Sequence, residues 1–167
     1  MASNSVHSRL EYYGANTVIG QVVLGISAGH LHRLWLPNES PVPADGSTSV
    51  IHAPHELPLA HEAFRQLEAY LAGRLKQFDL PLPVYHGTQL QQQIRHALCA
   101  IPYGETAAYK ELGPPRLAAR VCSQNPLPLL VPCHRVIPAS GGLAHPGQYR
   151  GGTALKRYLL RLEAAHA

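Results

Sequence analysis

The residues best suited to chemistry are Pro132-Cys133-His134-Arg135-Val136, which follow the apolar run Asn125-Pro126-Leu127-Pro128-Leu129-Leu130-Val131. The thiolate, not the thiol, is the nucleophilic form of cysteine, and a neighbouring imidazole or cation raises its population at neutral pH. The apolar run reads as a strand or buried turn. It would hold Cys133 rigidly at its end, so the sequence predicts a sulfur kept ready to ionise. An isolated Cys-His pair is more often buried filler than a catalytic pair, and only the surrounding proline, arginine and apolar context favours a reactive site. Cys99 and Cys122 read as small hydrophobes.

The cysteines also bound the class of protein. There are three, an odd number, and none forms a C-x-x-C pair. A disulfide framework and a ribbon-type zinc site are both poorly supported, and a reducing, cytoplasmic setting is expected. Histidines 7, 30, 32, 52, 55 and 61 are scattered over loops and strands without paired spacing, so no metal is expected. The N-terminal residues Met1 to Leu10 contain no apolar stretch of signal length. No run reaches the roughly 18 apolar residues of a membrane span. Hydrophobic residues make up 46% of the 167 residues and charged ones 14%, enough for a packed core and too apolar for a disordered chain. The net charge of +4 suits a polyanionic partner without requiring one.

The elements that must position Cys133 follow from periodicity. Tyr12 to Leu36 alternates in the manner of strands, with turn chemistry at Ser27-Ala28-Gly29-His30, and predicts a β-meander or hairpin. Residues 37–58 are rich in Pro, Ser, Gly and His and read as a loop. Phe64, Leu67, Tyr70, Leu71 and Leu75 have helical spacing over Leu59 to Phe78, with Gly73 near the helix end. Asp79 to Tyr85 is extended. Thr88 is a helix N-cap for Gln89 to about Ala100, and Ile101 to Glu105 is a turn. A short helix beginning at Thr106 or Ala107 should end at Leu112, stopped by Gly113-Pro114-Pro115. A second follows over Arg116 to Ser123. Two short helices around a glycine can be a DNA-reading helix-turn-helix or simple packing. Thr153 to Ala165 forms the last helix. The expected class is α+β: a β-rich unit over residues 1–80, then a mostly helical unit over residues 81–167.

The second half resembles the O6-alkylguanine-DNA alkyltransferase family, also called methylated-DNA–protein-cysteine methyltransferases. The resemblance rests on Leu80-Pro81-Leu82, Gly87-Thr88, Ile101-Pro102-Tyr103-Gly104-Glu105-Thr106 with Tyr109, Asn125-Pro126-Leu127-Pro128 and Pro132-Cys133-His134-Arg135-Val136-Ile137. It continues through Tyr149-Arg150-Gly151-Gly152, Lys156 and Leu159-Leu160-Arg161-Leu162-Glu163. It implies a ribonuclease H-like N-terminal unit and a helix-turn-helix that enters the minor groove of duplex DNA. It further implies a flipped guanine whose O6-alkyl group moves permanently to Cys133 without a cofactor. O4-alkylthymine is a second candidate substrate, and a monomer is the simplest expectation.

The resemblance also implies roles. Cys133 is the nucleophile, His134 takes its proton, and Glu163 holds the imidazole. Tyr109 is the phenol that donates to the leaving base, and Asn125 ties the cysteine turn in place. Pro128 and Val136 would wall the alkyl pocket, and Tyr149 would pack beside the base. Arg135 and Arg150 are candidate DNA or substrate contacts, and Gly151-Gly152 lets a loop close. An arginine fills the hole left in the stack. Arg116 has the expected spacing to Cys133, whereas Arg120 has the better local context after Ala118-Ala119. Spacing favours Arg116.

The chain departs from the family pattern in two segments. It is shorter between Tyr109 and Arg116 by roughly seven residues, on the order of 10 Å of helix. Its loop from Pro138 to Gln148 is longer, with Ala144-His145-Pro146 as the apparent insertion. The first change puts DNA grip in question and makes a non-catalytic or impaired alkylated-DNA binder the rival reading. A Cys-His hydrolase is the other rival, but nothing in the sequence suggests its oxyanion hole.

Overall fold

The computed structural model describes residues 9–41 and 49–167. His7 and residues 42–48 of the expected loop lie outside the described residues. The alternating N-terminal segment forms strands β1 (Glu11–Thr17), β2 (Gly20–Ser27) and β3 (His30–Trp35), joined as antiparallel neighbours. The segment expected to be all loop contributes β4 (Ile51–His52), which pairs parallel to β1 and completes the order β3-β2-β1-β4. A turn of 3-10 helix over Pro54–Glu56 then leads into α1 (Pro58–Leu71).

Helix α1 stops earlier than its apolar spacing suggested, because Gly73 adopts φ +76°. The Arg74 N–H donates to Ala69 O at 2.8 Å and the Gly73 N–H to Tyr70 O at 2.9 Å. These are the paired bonds by which a left-handed glycine ends a helix. Leu75 and Phe78 lie beyond the helix and still pack on the core.

Residues 80–87 carry no regular element and lead to α2 (Gln89–Cys99). Thr88 Oγ1 accepts from Gln91 N at 3.2 Å while Gln91 Oε1 accepts from Thr88 N at 2.9 Å, which satisfies two otherwise orphaned helix donors. Ala107–Ala108, expected to open a helix, instead forms strand β5, parallel to β6 (Val136–Ile137). Extended pairing there holds the backbone beside the cysteine segment, so α3 is confined to one turn, Tyr109–Leu112. Helix α4 (Pro115–Ser123) follows, and α5 (Thr153–His166) ends the fold.

One hydrophobic core runs through both halves. Leu24, Leu34, Leu67, Leu98, Leu127 and Leu159 belong to it, and each is at most 2% exposed. Backbone bonds cross the expected boundary as well: Leu31 N donates to Pro81 O and Leu34 N to Pro126 O, each at 2.9 Å. The strand β3 therefore carries the edge on which the turn before Cys133 rests. Leu98→Ala should lower the unfolding free energy by about 2–5 kcal/mol through lost burial and a residual cavity, seen as a lower urea midpoint at constant slope.

Candidate functional site

The turn that presents Cys133 is built by Asn125. Its Oδ1 accepts from Leu127 N at 3.1 Å, and its Nδ2 donates to Val131 O at 3.0 Å and to Cys133 Sγ at 3.2 Å. The apolar run is thus a buried turn, closed by Val131 N donating to Leu127 O at 2.9 Å. Leu129 sits in it at φ +74°, a conformation costly for a residue with a Cβ. Burial of the Leu129 side chain, 2% exposed, and the Asn125 bonds hold it there. Cys133 to Arg135 form a single 3-10 turn, and Val136 continues into β6.

Cys133 reaches a cavity of about 500 Å³. Tyr109, Cys122, Tyr149 and Arg150 share its wall, and Ala119 of α4 forms its rim. The Tyr149 hydroxyl is buried without a hydrogen-bond partner among the described residues. Burial holds both the Tyr109 and Tyr149 phenols above the ordinary phenol range, so each stays a donor. The space suits a planar heterocycle lined by a few polar groups.

The resting state of Cys133 differs from the sequence expectation. Burial pushes its thiol up, and the Asn125 hydrogen bond and the Lys156 and Arg150 cations only partly offset this. The sulfur therefore rests as a thiol, and it can act as a nucleophile only if its proton is removed. Burial likewise pushes Cys122 up to about 12. The three cysteines are all free.

Behind Cys133, His134 is fully buried and its Nε2 lies 2.6 Å from Glu163 Oε2. Glu163 also accepts from Tyr70 Oη at 2.5 Å, Arg135 Nε at 2.8 Å, Arg135 Nη2 at 3.1 Å and Gly104 N at 3.1 Å. Burial alone would raise this carboxyl. The bonds from His134, Arg135 and Tyr70 outweigh burial and hold it well below the usual carboxylate range. An ionised Glu163 can only accept, so the neutral ring of His134 carries its proton on Nε2 and keeps a lone pair on Nδ1. That Nδ1 is buried and has no partner among the described residues. Burial pushes the His134 pKa down against the pull of Glu163, which keeps the ring neutral and able to accept a proton.

Several expected residues come together: Cys133, Asn125, Tyr109, Tyr149 and Arg150 surround the cavity turn, and His134 and Glu163 form the buried pair. Arg150 donates Nη1 to Asn125 O at 3.0 Å and Nη2 to Ser123 O, and its Nε lies 3.4 Å from Glu39. Gly151 is closely packed, since a Cβ there would lie 2.6 Å from Leu155 and 2.8 Å from Leu36. Gly152 adopts φ +94° at the start of α5. Arg116 and Arg120 are exposed one turn apart on α4, and neither guanidinium has a partner among the described residues.

One expectation is corrected. Arg135 is not presented to a partner: its fork grips Glu163, its Nη1 donates to Ile101 O at 2.7 Å, and the residue is 8% exposed. Pro128 and Val136 are both buried in the cysteine segment, where Val136 pairs with Ala107.

Two residues were missed as parts of the site. Lys156 is fully buried and donates Nζ to Val136 O at 2.6 Å and Gln148 O at 3.2 Å, tying the loop before α5 to the cysteine strand. A lysine amid Leu155, Leu159 and Leu160 at helical spacing was the available signal. Tyr70 carried no signal beyond its place on an apolar helix face.

The chain is similar to proteins of known family over most of its length. Residues 89–165 match the family described as the DNA-binding domain of 6-O-methylguanine DNA methyltransferase. The chain is 46% identical over 109 residues to a methylated-DNA–protein-cysteine methyltransferase of Methanosarcina barkeri, covering 61% of this chain and 66% of that one. It is 36% identical over 160 residues to the constitutive methylated-DNA–protein-cysteine methyltransferase of Bacillus subtilis, covering 91% of this chain and 94% of the relative. Among solved structures, Mycobacterium tuberculosis OGT in complex with DNA aligns with a TM-score of 0.77 at 34% identity, covering 94% of each chain.

Arg135→Ala should cost about 3–5 kcal/mol of stability by stranding a buried carboxylate, a loss an exposed DNA contact would not cause. Stability should also depend on pH. The depressed Glu163 and His134 pKa values make it decline as pH falls below the ordinary imidazole range and further through the carboxylate range. The raised Cys133 pKa makes it decline as pH rises through the ordinary thiol range. Unfolding curves recorded from acid to alkaline pH check both signs.

Proposed function

Because the chain belongs to the methylated-DNA–protein-cysteine methyltransferase family, we propose that it repairs alkylated DNA by taking the alkyl group from O6 of a flipped guanine onto Cys133, once and irreversibly. The observation that carries this reading is the placement of Cys133 Sγ on the wall of a base-sized cavity beside Tyr109 and Tyr149, with His134 and Glu163 behind it. A buried base with an open Nδ1 lone pair suits a thiol that must lose its proton in the act of attack.

In the proposed step a sulfur–carbon bond forms as the carbon–O6 bond breaks. The thiol proton passes to Nδ1 of His134, directly or through water, and Glu163 stabilises the imidazolium. The guanine oxyanion that leaves is stabilised by the Tyr109 hydroxyl, which burial keeps protonated. The thioether has no route back to a thiol, so one molecule serves one lesion.

Duplex DNA is the proposed partner. The exposed Arg116 and Arg120 on α4 and the free N-terminal face of that helix suit entry beside a flipped base, with Arg116 the favoured side chain to fill the stack. No helix is long and apolar enough to cross a membrane among the described residues, and a monomer acting in the cytoplasm fits the proposal. The one-turn α3 motivates the second reading, an alkylated-DNA binder with impaired transfer.

An oligonucleotide bearing O6-methylguanine separates the readings. The Cys133 peptide should gain about 14 Da, one methyl replacing one hydrogen, and Cys133→Ala should gain nothing. Binding without mass gain in the wild-type chain supports the impaired binder. Arg116→Ala should slow repair of a paired lesion more than Arg120→Ala, measured as single-turnover rates on duplex and single-stranded substrate. The reverse order would assign the stacking role to Arg120.

A further inference from the structure

Tyr70 is the one side chain of the N-terminal half that hydrogen-bonds to the buried His134–Glu163 pair among the described residues. It comes from the last turn of α1, is 1% exposed, and packs its ring against Phe78 at 5.1 Å and edge-on to Tyr103 at 6.2 Å. A phenylalanine would fill the same apolar space. Burying a hydroxyl is unfavourable unless it is bonded, and this one donates to a buried carboxylate. Its Oη lies 2.5 Å from Glu163 Oε2 and 3.3 Å from His134 Nε2.

From this geometry we infer that Tyr70 is a positioning residue for the base: by holding Glu163 Oε2 it fixes that oxygen and limits the share of its charge that reaches His134. The inference deepens the proposed alkyl transfer and rests on that reading for its catalytic meaning. Oε2 divides its negative charge among Tyr70 Oη, His134 Nε2 and Arg135 Nη2. A phenol that stays protonated is a permanent donor, and burial keeps Tyr70 far above the ordinary phenol range. With the phenol in place, less charge is available to stabilise an imidazolium, and His134 rests as a neutral acceptor. Without it, the carboxylate would lean more heavily on Nε2–H and could also rotate about its terminal bond.

The other groups that face the pair are fixed. Lys156 approaches from α5, Arg135 and Cys133 belong to the segment of His134 itself, and Tyr103 and Tyr149 face Glu163 from the turn after α2 and the loop before α5. Tyr70→Phe changes none of these charges. It removes one donor from one oxygen.

The test uses the full chain. Imidazole NMR signals assigned to His134 are followed against pH, and single-turnover alkyl-transfer rates are measured over the same range. In Tyr70→Phe the His134 midpoint should rise by roughly half a unit to one unit, as expected when one hydrogen bond to a charged group is redistributed. The acid limb of the rate profile should move up with it. Should Tyr70→Phe fold poorly, 3-fluorotyrosine installed at position 70 gives the opposite displacement, because a more acidic phenol draws more strongly on Oε2 and lowers the His134 midpoint. A purely packing role for Tyr70 would move thermal stability and leave the midpoint where it was in both variants, and that result overturns the inference. The NMR titration does not require alkyl transfer. Absence of methylated Cys133 in the wild-type chain would therefore sink the functional reading while the titration still judges the role of Tyr70.

Discussion

A single buried carboxylate organises this protein. Glu163 is 1% exposed, and its two oxygens accept from five donors that arrive from α1, the turn after α2, the 3-10 turn at the cysteine and its arginine fork. An ion taken out of water is tolerable only when its lone pairs are filled, and filling them here requires four separate parts of the chain to meet. The carboxylate thus joins folding to chemistry. Once its donors are in place, the tautomer of His134 is settled and the ring is held with its Nδ1 lone pair open, the state the proposed reaction needs.

The Asn125 turn is the second half of the arrangement. One amide side chain bonds a backbone N–H, a backbone carbonyl and the sulfur, while a leucine in a left-handed conformation completes the bend. Arg150 then clasps the carbonyls of Ser123 and Asn125, which ties the end of α4 to the cysteine turn. In the proposed function this links the helix that would meet DNA directly to the proposed nucleophile.

Much of this was legible in the sequence. The β-meander of Tyr12 to Leu36 and the cap at Thr88 each carry a local physical signature and form as the sequence indicates, although the first hairpin turn, at Val18–Ile19, carried no turn residues and was not expected. What was not legible depended on long-range meeting. Arg135 reads as a candidate DNA or substrate contact because the sequence does not show that its guanidinium turns inward onto a carboxylate 28 residues later. Tyr70 is 93 residues from Glu163 and reads only as a core aromatic. The end of α1 and the strand at Ala107–Ala108 were misplaced for a simpler reason: a positive-φ glycine and a two-residue parallel bridge both override helical spacing.

The protonated state of Cys133 has a consequence for the life of the molecule. Peroxides, disulfides and stray electrophiles attack thiolates far faster than thiols, and this sulfur is 7% exposed as well as held above its usual pKa. A protein proposed to spend its sulfur a single time has every reason to guard it in the interval before a lesion arrives. Dormancy and readiness are then served by the same burial: the sulfur keeps its proton at rest and, in the proposed reaction, gives it up to His134 only as the alkyl group arrives.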